Sequence, residues 1–265
     1  MMQGLIIGRY VPGKSIIHQM DPRSKLIIVS LFVFVVFLAN NPYSYALLSF
    51  FILLNIVLTK IPLYYILTGL KPILLVVAFT FLIHLFMTKE GDLLYSFGTL
   101  EIYEGGIIQG IYISLRLLFL VLMTTLLTLT TTPIEVTDGM ESLLHPLKKF
   151  NFPVHELSLM MSISLRFIPT LMQETEKIVK AQTARGMDFR SGPIKDRINA
   201  IIPLLIPLFI SAFKRAEELA TAMEARGYRG GEGRTKLRVL RWKWIDSMML
   251  LFLVLVTIGL FILRT

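Results

Sequence analysis

The sequence predicts an all-α integral membrane protein with about five transmembrane helices and a block of long amphipathic helices on the cytoplasmic side. Of the 265 residues, 54% are hydrophobic and only 17% are charged, and the mean hydropathy is +0.68. The apolar residues are gathered in runs, which is typical of membrane-spanning proteins and not of soluble domains. A long polar block, residues 131–245, separates the last two of these runs.

Composition also excludes several kinds of chemistry. The chain has no cysteine, so disulfides, thiolate catalysis and cysteine-ligated metals are excluded. The formal net charge of +9 is compatible with nucleic-acid binding. In a membrane protein, however, an excess of lysine and arginine marks the cytoplasmic loops, so we predict no nucleic-acid partner.

Five apolar runs are candidates for membrane spans, because a spanning helix needs about 20 predominantly apolar residues. The runs cover residues 26–39, 43–58, 72–87, 106–130 and 247–263. The first two are so close that they must form a tight hairpin through Asn40-Asn41-Pro42. Trp242 and Trp244 precede the last run, as interfacial anchors do.

The charges of the loops predict the orientation of these spans. The N-terminal arm carries Arg9, Lys14, Arg23 and Lys25, and the block at residues 131–245 holds 18 basic and 12 acidic residues. The loop at residues 88–104 is acidic instead. Under the positive-inside rule, the N-terminus and the block lie in the cytoplasm and the C-terminus lies outside.

One cation falls inside a predicted span. Arg116 lies in the first half of the fourth apolar run, about two turns from its outer end. It either extends its guanidinium outward to the interface or finds a partner within the helix bundle. We predict the first, since arginine side chains near the end of a span commonly reach for the polar layer.

The polar block contains two long predicted helices that end in the same tripeptide. The helices cover about residues 154–185 and 196–226, with apolar residues at spacings of three and four on one face. They end at Ala184-Arg185-Gly186 and Ala225-Arg226-Gly227. Each glycine is well placed as the left-handed residue that closes a helix.

The paired arginines have two interpretations. An arginine at the last turn of a helix is favourable as a plain cap, because its charge opposes the helix dipole. An exposed arginine between two small residues can also insert into a groove lined by carboxylates. For one copy the plain cap is the better interpretation, but two copies on related helices favour a pair of docking tips.

The apolar start of the second helix also allows two interpretations. Residues 200–212 are too short to span a membrane and contain Pro203 and Pro207, so an interfacial or buried segment is expected. The apolar faces of the two helices either pack only on each other or contact a membrane partner. For the partner surface we select Ile206, Phe209 and Phe213.

Motifs for catalysis and for nucleotide binding are missing from the sequence. There is no Gly-x-x-x-x-Gly-Lys-Ser/Thr phosphate loop, and the four histidines lack metal-ligand spacing. We therefore expect no catalytic residue, no metal and no cofactor in this chain, and a function other than that of an enzyme.

With these features together, the chain resembles the transmembrane (T) subunit family of energy-coupling factor transporters, the CbiQ-like family. The resemblance covers essentially the whole chain: the segment GRYVPGKSIIHQMDPRSKL, the apolar spans, the two Ala-Arg-Gly signatures and the final span. It divides the chain into residues 1–130 (arm and four spans), 131–245 (coupling helices with the two tips) and 246–265 (last span).

The resemblance implies a function and a set of partners. Arg185 and Arg226, with their flanking alanines and glycines, would each enter a groove on one of two ATP-binding cassette subunits, which bind ATP and Mg. The apolar helix surface would hold one small substrate-binding membrane subunit that delivers a vitamin or a metal ion. The complex would lie in the plasma membrane of a prokaryote.

Two other functions remain open from the residues. A permease of a conventional ABC importer also lacks a nucleotide site, but it usually presents one coupling helix per protomer. The third possibility is an unrelated membrane-anchored scaffold or enzyme.

Overall fold

The structure is a computed structural model that describes residues 10–97, 100–150, 152–187, 194–230 and 239–264. Arg9 of the predicted basic arm and most of the loop expected at residues 187–192 lie outside these residues. The chain divides into two compact units, Met1–Leu143 with Val239–Thr265, and Leu144–Arg238. Each unit is described by itself.

Helices make up nearly all of the described secondary structure, which confirms the predicted all-α class. In chain order the elements are α1 (Pro22–Val35), a 3-10 turn (Val36–Leu38), α2 (Pro42–Thr59), α3 (Leu63–Met87), β1 (Leu93–Phe97), β2 (Leu100–Tyr103), α4 (Glu104–Thr130), α5 (Pro133–Leu144), a 3-10 helix (His145–Phe150), α6 (Val154–Ala184), α7 (Ile194–Ala225) and α8 (Trp244–Leu263). The two strands form one antiparallel hairpin between α3 and α4.

Four described helices, α2, α3, α4 and α8, are long and apolar enough to cross a membrane. The first predicted span, residues 26–39, is shorter than the others: α1 has 14 residues and continues only as the three-residue 3-10 turn. The chain then becomes extended at Ala39 and at Asn41, which precedes Pro42 at the start of α2. A residue before proline is disfavoured in the helical region, so this short turn ends the first helical segment.

The first unit is built around a tightly packed apolar core. Its most buried side chains come from α1, α2, α4 and α8, and include Phe32, Leu48, Phe51, Leu129 and Leu260. The rings of Phe32 and Phe51 stack with centroids 5.7 Å apart. Helix α3 lies against α4, and a Cβ placed on Gly110 would come within 3.1 Å of the Phe81 ring. Small residues at such positions let two membrane helices approach closely.

Arg116 has its partners within the bundle, so the predicted outward extension is wrong. Its guanidinium donates to the Ala39 carbonyl and to the Tyr45 hydroxyl, each at 3.2 Å. It also lies over the Phe37 ring, 5.1 Å from the ring centroid. The carbonyl at the end of the first helical segment and the hydroxyl of the α2 tyrosine together supply acceptors for the guanidinium.

Asp246, a fully buried carboxylate, joins the start of α8 to the start of α1. Its Oδ1 accepts hydrogen bonds from the Asp21 amide (2.9 Å) and the Ser24 hydroxyl (2.5 Å), and its Oδ2 accepts one from the Lys243 amide (2.7 Å). A buried charge of this kind is tolerated because donors satisfy it from several sides. The carboxylate therefore fixes the basic arm against α8.

The adjacent Lys25 extends the same polar cluster to α4. Its ammonium donates to the Thr130 carbonyl at 2.9 Å and to the Thr131 hydroxyl at 3.2 Å. These acceptors lie at the end of α4, where backbone carbonyls lack helical partners. The Asp-Pro-Arg-Ser-Lys stretch thus links three helices of the unit through side chains that are mostly buried.

We expect Asp246→Ala to destabilise the first unit strongly. The substitution leaves two buried donors and one partly buried donor without their acceptor. Each such donor costs about 1–3 kcal/mol, so the loss is roughly 3 kcal/mol or more. In a chain of this size this corresponds to a fall of roughly 6–12 °C in Tm, measured by thermal unfolding in detergent.

The matched control is Glu217→Ala, which removes an exposed carboxylate from the other unit. Its Tm should stay within about 2 °C of the parent chain. An equally small change for Asp246→Ala would contradict the role given to the buried carboxylate.

Candidate functional site

Helices α6 and α7 of the second unit pack as an antiparallel pair. The Glu174 carboxylate of α6 accepts a hydrogen bond from the Ser211 hydroxyl at 2.9 Å and forms an ion pair with Arg215 of α7. Earlier along α6, Leu159 lines a cleft together with Met223, which lies later along α7. Residues nearer the start of α6 thus lie beside residues nearer the end of α7, so the two helices run antiparallel.

The Glu174–Arg215 ion pair corrects the predicted faces of these helices. Periodicity places both side chains on the water-facing sides, but each is about three-quarters covered in the structure. The pair also has a particular place in the internal repeat. When the two Ala-Arg-Gly signatures are aligned, Glu174 and Arg215 occupy equivalent positions. Two residues at equivalent positions of the repeat therefore meet where α6 and α7 pack.

Arg185 stands at the end of α6 in a closed cap. Gly186 has a φ of +87°, and its amide donates to the Thr183 carbonyl at 3.0 Å. The Met187 amide donates to the Gln182 carbonyl at 3.0 Å. These two bonds form a Schellman motif, which satisfies carbonyls that the helix end leaves open.

Arg226 stands in the same cap at the end of α7. Gly227 has a φ of +77°, its amide donates to the Glu224 carbonyl at 2.9 Å, and the Tyr228 amide donates to the Met223 carbonyl at 3.0 Å. A Cβ on Gly186 or Gly227 would meet nothing within 4 Å. The left-handed conformation, and not crowding, therefore requires glycine at both positions.

The two arginines lie exposed at opposite ends of the pair. Arg185 follows Glu174 by eleven residues, and Arg226 follows Arg215 by eleven residues. At a rise of 1.5 Å per residue, each tip is roughly 16 Å from the ion pair along its own helix. The unit therefore carries two exposed arginines, one at each end of the pair, at equal distances along the helices from the ion pair.

The predicted partner surface on α7 is exposed. Ile206, Phe209 and Phe213 have 55%, 60% and 72% of their surface accessible. The residues of α7 that approach α6 lie on another side of the helix and include Ser211, Arg215 and Leu219. The three predicted side chains thus take little part in packing α7 on α6.

A cleft that the sequence does not reveal lies beside the Arg226 tip. It has a volume of about 600 Å³ and is formed by the first half of α6 and the end of α7. Arg166 of α6 and Arg229 after α7 line it together with Arg226. In the described part of the chain, no three histidine or carboxylate side chains are grouped so that they could hold a metal ion.

Comparison with known proteins identifies a family and several relatives of this chain. The CbiQ family model, described as cobalt transport protein, matches residues 13–237. The energy-coupling factor transporter transmembrane protein EcfT of Bacillus subtilis (strain 168) is 62% identical over 264 residues, which cover all of both chains. Proteins of the same name from Listeria innocua and Brevibacillus brevis are each 53% identical, over 265 and 258 residues, and cover 100% and 97% of both chains.

These relatives do not favour the alternative of a conventional ABC importer permease. They match the chain over 97–100% of its length, so the likeness covers both the spans and the polar block between them. The chain therefore belongs to the CbiQ family, and within it to the transmembrane components of energy-coupling factor transporters.

Proposed function

We propose that this chain couples two ATP-binding cassette subunits to one small substrate-binding membrane subunit during micronutrient uptake. The observation that carries the proposal is the pair of identically capped arginines, Arg185 and Arg226, at equal distances from the ion pair between α6 and α7. Two equivalent tips suit two similar partners. Ala184 and Gly186 at one tip, and Ala225 and Gly227 at the other, keep the surroundings of each guanidinium small.

Each tip is proposed to enter a carboxylate-lined groove of one ATPase. A guanidinium makes several charge-assisted hydrogen bonds with a fixed geometry, so it is suited to a point contact that must carry force. The Schellman cap fixes the backbone on both sides of the arginine. Movement of a groove is then passed to the helix and not absorbed by a fraying end.

The remaining roles belong to the partners. We propose that the ATPase subunits bind and hydrolyse ATP with Mg, and that this chain holds no cofactor and catalyses no reaction. Ile206, Phe209 and Phe213 are proposed to contact the substrate-binding subunit, because apolar side chains with this exposure need lipid or a membrane partner to cover them. The imported compound is proposed to be a vitamin or a metal ion.

The proposed topology places the coupling helices beside the ATPases. The N-terminus and residues 131–245 lie in the cytoplasm of a prokaryote, residues 1–130 supply the arm and first spans, and residues 246–265 supply the last span. Positive charge on the cytoplasmic loops supports this orientation. ATP binding would close the two ATPases, move the two tips, and shift the apolar surface of α7 against the substrate-binding subunit.

Replacing both arginines by alanine (Arg185→Ala with Arg226→Ala) should abolish stable association with the ATPases. Each tip loses its charge-assisted hydrogen bonds, so we expect the dissociation constant to rise at least about 100-fold, from roughly 1.5–3 kcal/mol per tip. Co-purification and native mass spectrometry of the reconstituted complex measure this association.

The matched control, Lys180→Ala with Lys214→Ala, removes two exposed cations from the same helices and should leave the complex intact. An intact complex with full ATP-driven uptake in the arginine variant would refute the docking role.

Reversing the ion pair tests whether α6 and α7 move as one body. Glu174→Arg places two guanidinium groups opposite each other, and like charges in contact cost several kcal/mol. We expect ATP-driven uptake to fall at least about fivefold while the ATPases remain bound. The double variant Glu174→Arg with Arg215→Glu restores opposite charges and should recover most of the uptake. Failure of the double variant to exceed the single one would argue against a coupling role for the pair.

Polar substitution of the exposed face of α7 should weaken binding of the substrate-binding subunit. Phe209→Ser with Phe213→Ser removes two large apolar contacts, which are worth roughly 3 kcal/mol together at an interface, or about a 100-fold loss of affinity. Phe150→Ser, at a side chain 82% exposed outside α7, is the control. The measurement is the amount of substrate-binding subunit that co-purifies with the parent chain, the double variant and the control. Equal amounts in all three would show that this face has another use.

A further inference from the structure

The cleft beside Arg226 makes the two ends of the α6–α7 pair unequal. Its walls are apolar and come from both helices, for example Ile163 and Phe167 of α6 and Leu219 and Met223 of α7. Three guanidinium groups, those of Arg166, Arg226 and Arg229, line it. Among the residues that the structure describes around the cleft, none is acidic.

The three arginines have no partner in the described chain. No hydrogen bond or ion pair of their side chains is present among the described residues, and all three are exposed. Like charges gathered on one concave surface repel each other, so the arrangement favours a ligand that brings at least two negative charges. The apolar walls favour a ligand that also carries aliphatic or aromatic groups.

The sequence at the other signature does not repeat this charge pattern. When the two signatures are aligned, the position of Arg166 corresponds to Pro207, and that of Arg229 corresponds to Asp188. Only the tip arginine itself is shared. The two halves of the repeat therefore share the tip arginine and differ at the positions of Arg166 and Arg229.

We infer that Arg166 and Arg229 complete the docking site at the Arg226 end, and that a segment with at least two carboxylates and an apolar side chain, supplied by the ATPase subunit there, fills the cleft. This inference rests on the proposed function. A segment of a few residues suits a cleft of this volume better than a whole helix, because pockets of roughly 300–1,000 Å³ hold small ligands.

The test uses the complete complex of this chain with its two ATPases and substrate-binding subunit. Arg166→Gln with Arg229→Gln removes two charges from the cleft and leaves Arg226 in place. We expect the affinity for one of two ATPases to fall roughly 10-fold or more, with a weaker dependence on salt, since each charge contact contributes to attraction of the partner. Lys177→Gln with Lys214→Gln removes the same charge from exposed positions of both helices outside the cleft and should change affinity less than about twofold.

A cross-linking experiment locates the partner directly. The chain has no cysteine, so a single introduced cysteine carries a maleimide photoprobe at one known position. A probe on Ser162→Cys, which lines the cleft, should cross-link one ATPase. A probe on Ser164→Cys, which is exposed on α6 and does not line the cleft, should not.

The possible failures are distinguishable. If Arg226→Ala weakens ATPase binding but the Arg166 and Arg229 substitutions do not, the inference is overturned and the docking of the tips stands. If Arg185→Ala with Arg226→Ala has no effect on ATPase binding, the proposed function itself fails. If the double variant binds the ATPases normally but binds vesicles of phosphatidylglycerol and phosphatidylcholine less tightly than the parent complex, the cleft holds lipid headgroups and the inference is overturned.

Discussion

The ion pair between Glu174 and Arg215 sets the geometry on which the second unit depends. Two helices of 31 and 32 residues could pack in many registers, because their apolar faces are broad. A charged contact between partly covered side chains is more selective, since a shift by one turn would leave both charges uncompensated. The pair thereby defines the register in which the two antiparallel helices meet. Because Arg185 and Arg226 each lie eleven residues after their member of the ion pair, the two tips are equally far from it along their helices.

The first unit relies on a different kind of contact. Asp246 receives two backbone amides and one hydroxyl, so the start of α8 and the basic arm are held together by one buried carboxylate. Lys25 extends the cluster to the end of α4 through neutral acceptors. Apolar packing of membrane helices gives little orientation by itself, because lipid tails are as apolar as the side chains. Polar contacts at the helix ends supply the missing specificity.

Much of the architecture follows from local pattern. Hydropathy finds the spans, and the positions of Gly186 and Gly227 predict the two left-handed helix ends that the structure contains. The failures involve contacts between distant parts of the chain. Arg116 binds residues 71 and 77 positions away, and no local rule offers those acceptors. Glu174 and Arg215 have the spacing of solvent-facing residues on their own helices. Only the alignment of the two repeats, with opposite charges at equivalent positions, hints that they meet.

The equal arms of the helix pair have a mechanical consequence. If α6 and α7 turn about the ion pair as rigid rods, each tip moves along an arc with a radius of roughly 16 Å. Ile206 lies nine residues before Arg215, on the far side of the pivot at roughly 13 Å, and so moves about four-fifths as far in the opposite direction. Phe213 lies beside the pivot and hardly moves. In the proposed mechanism the movement of the α7 surface therefore increases along the helix, from almost none at Phe213 to about four-fifths of the tip movement at Ile206.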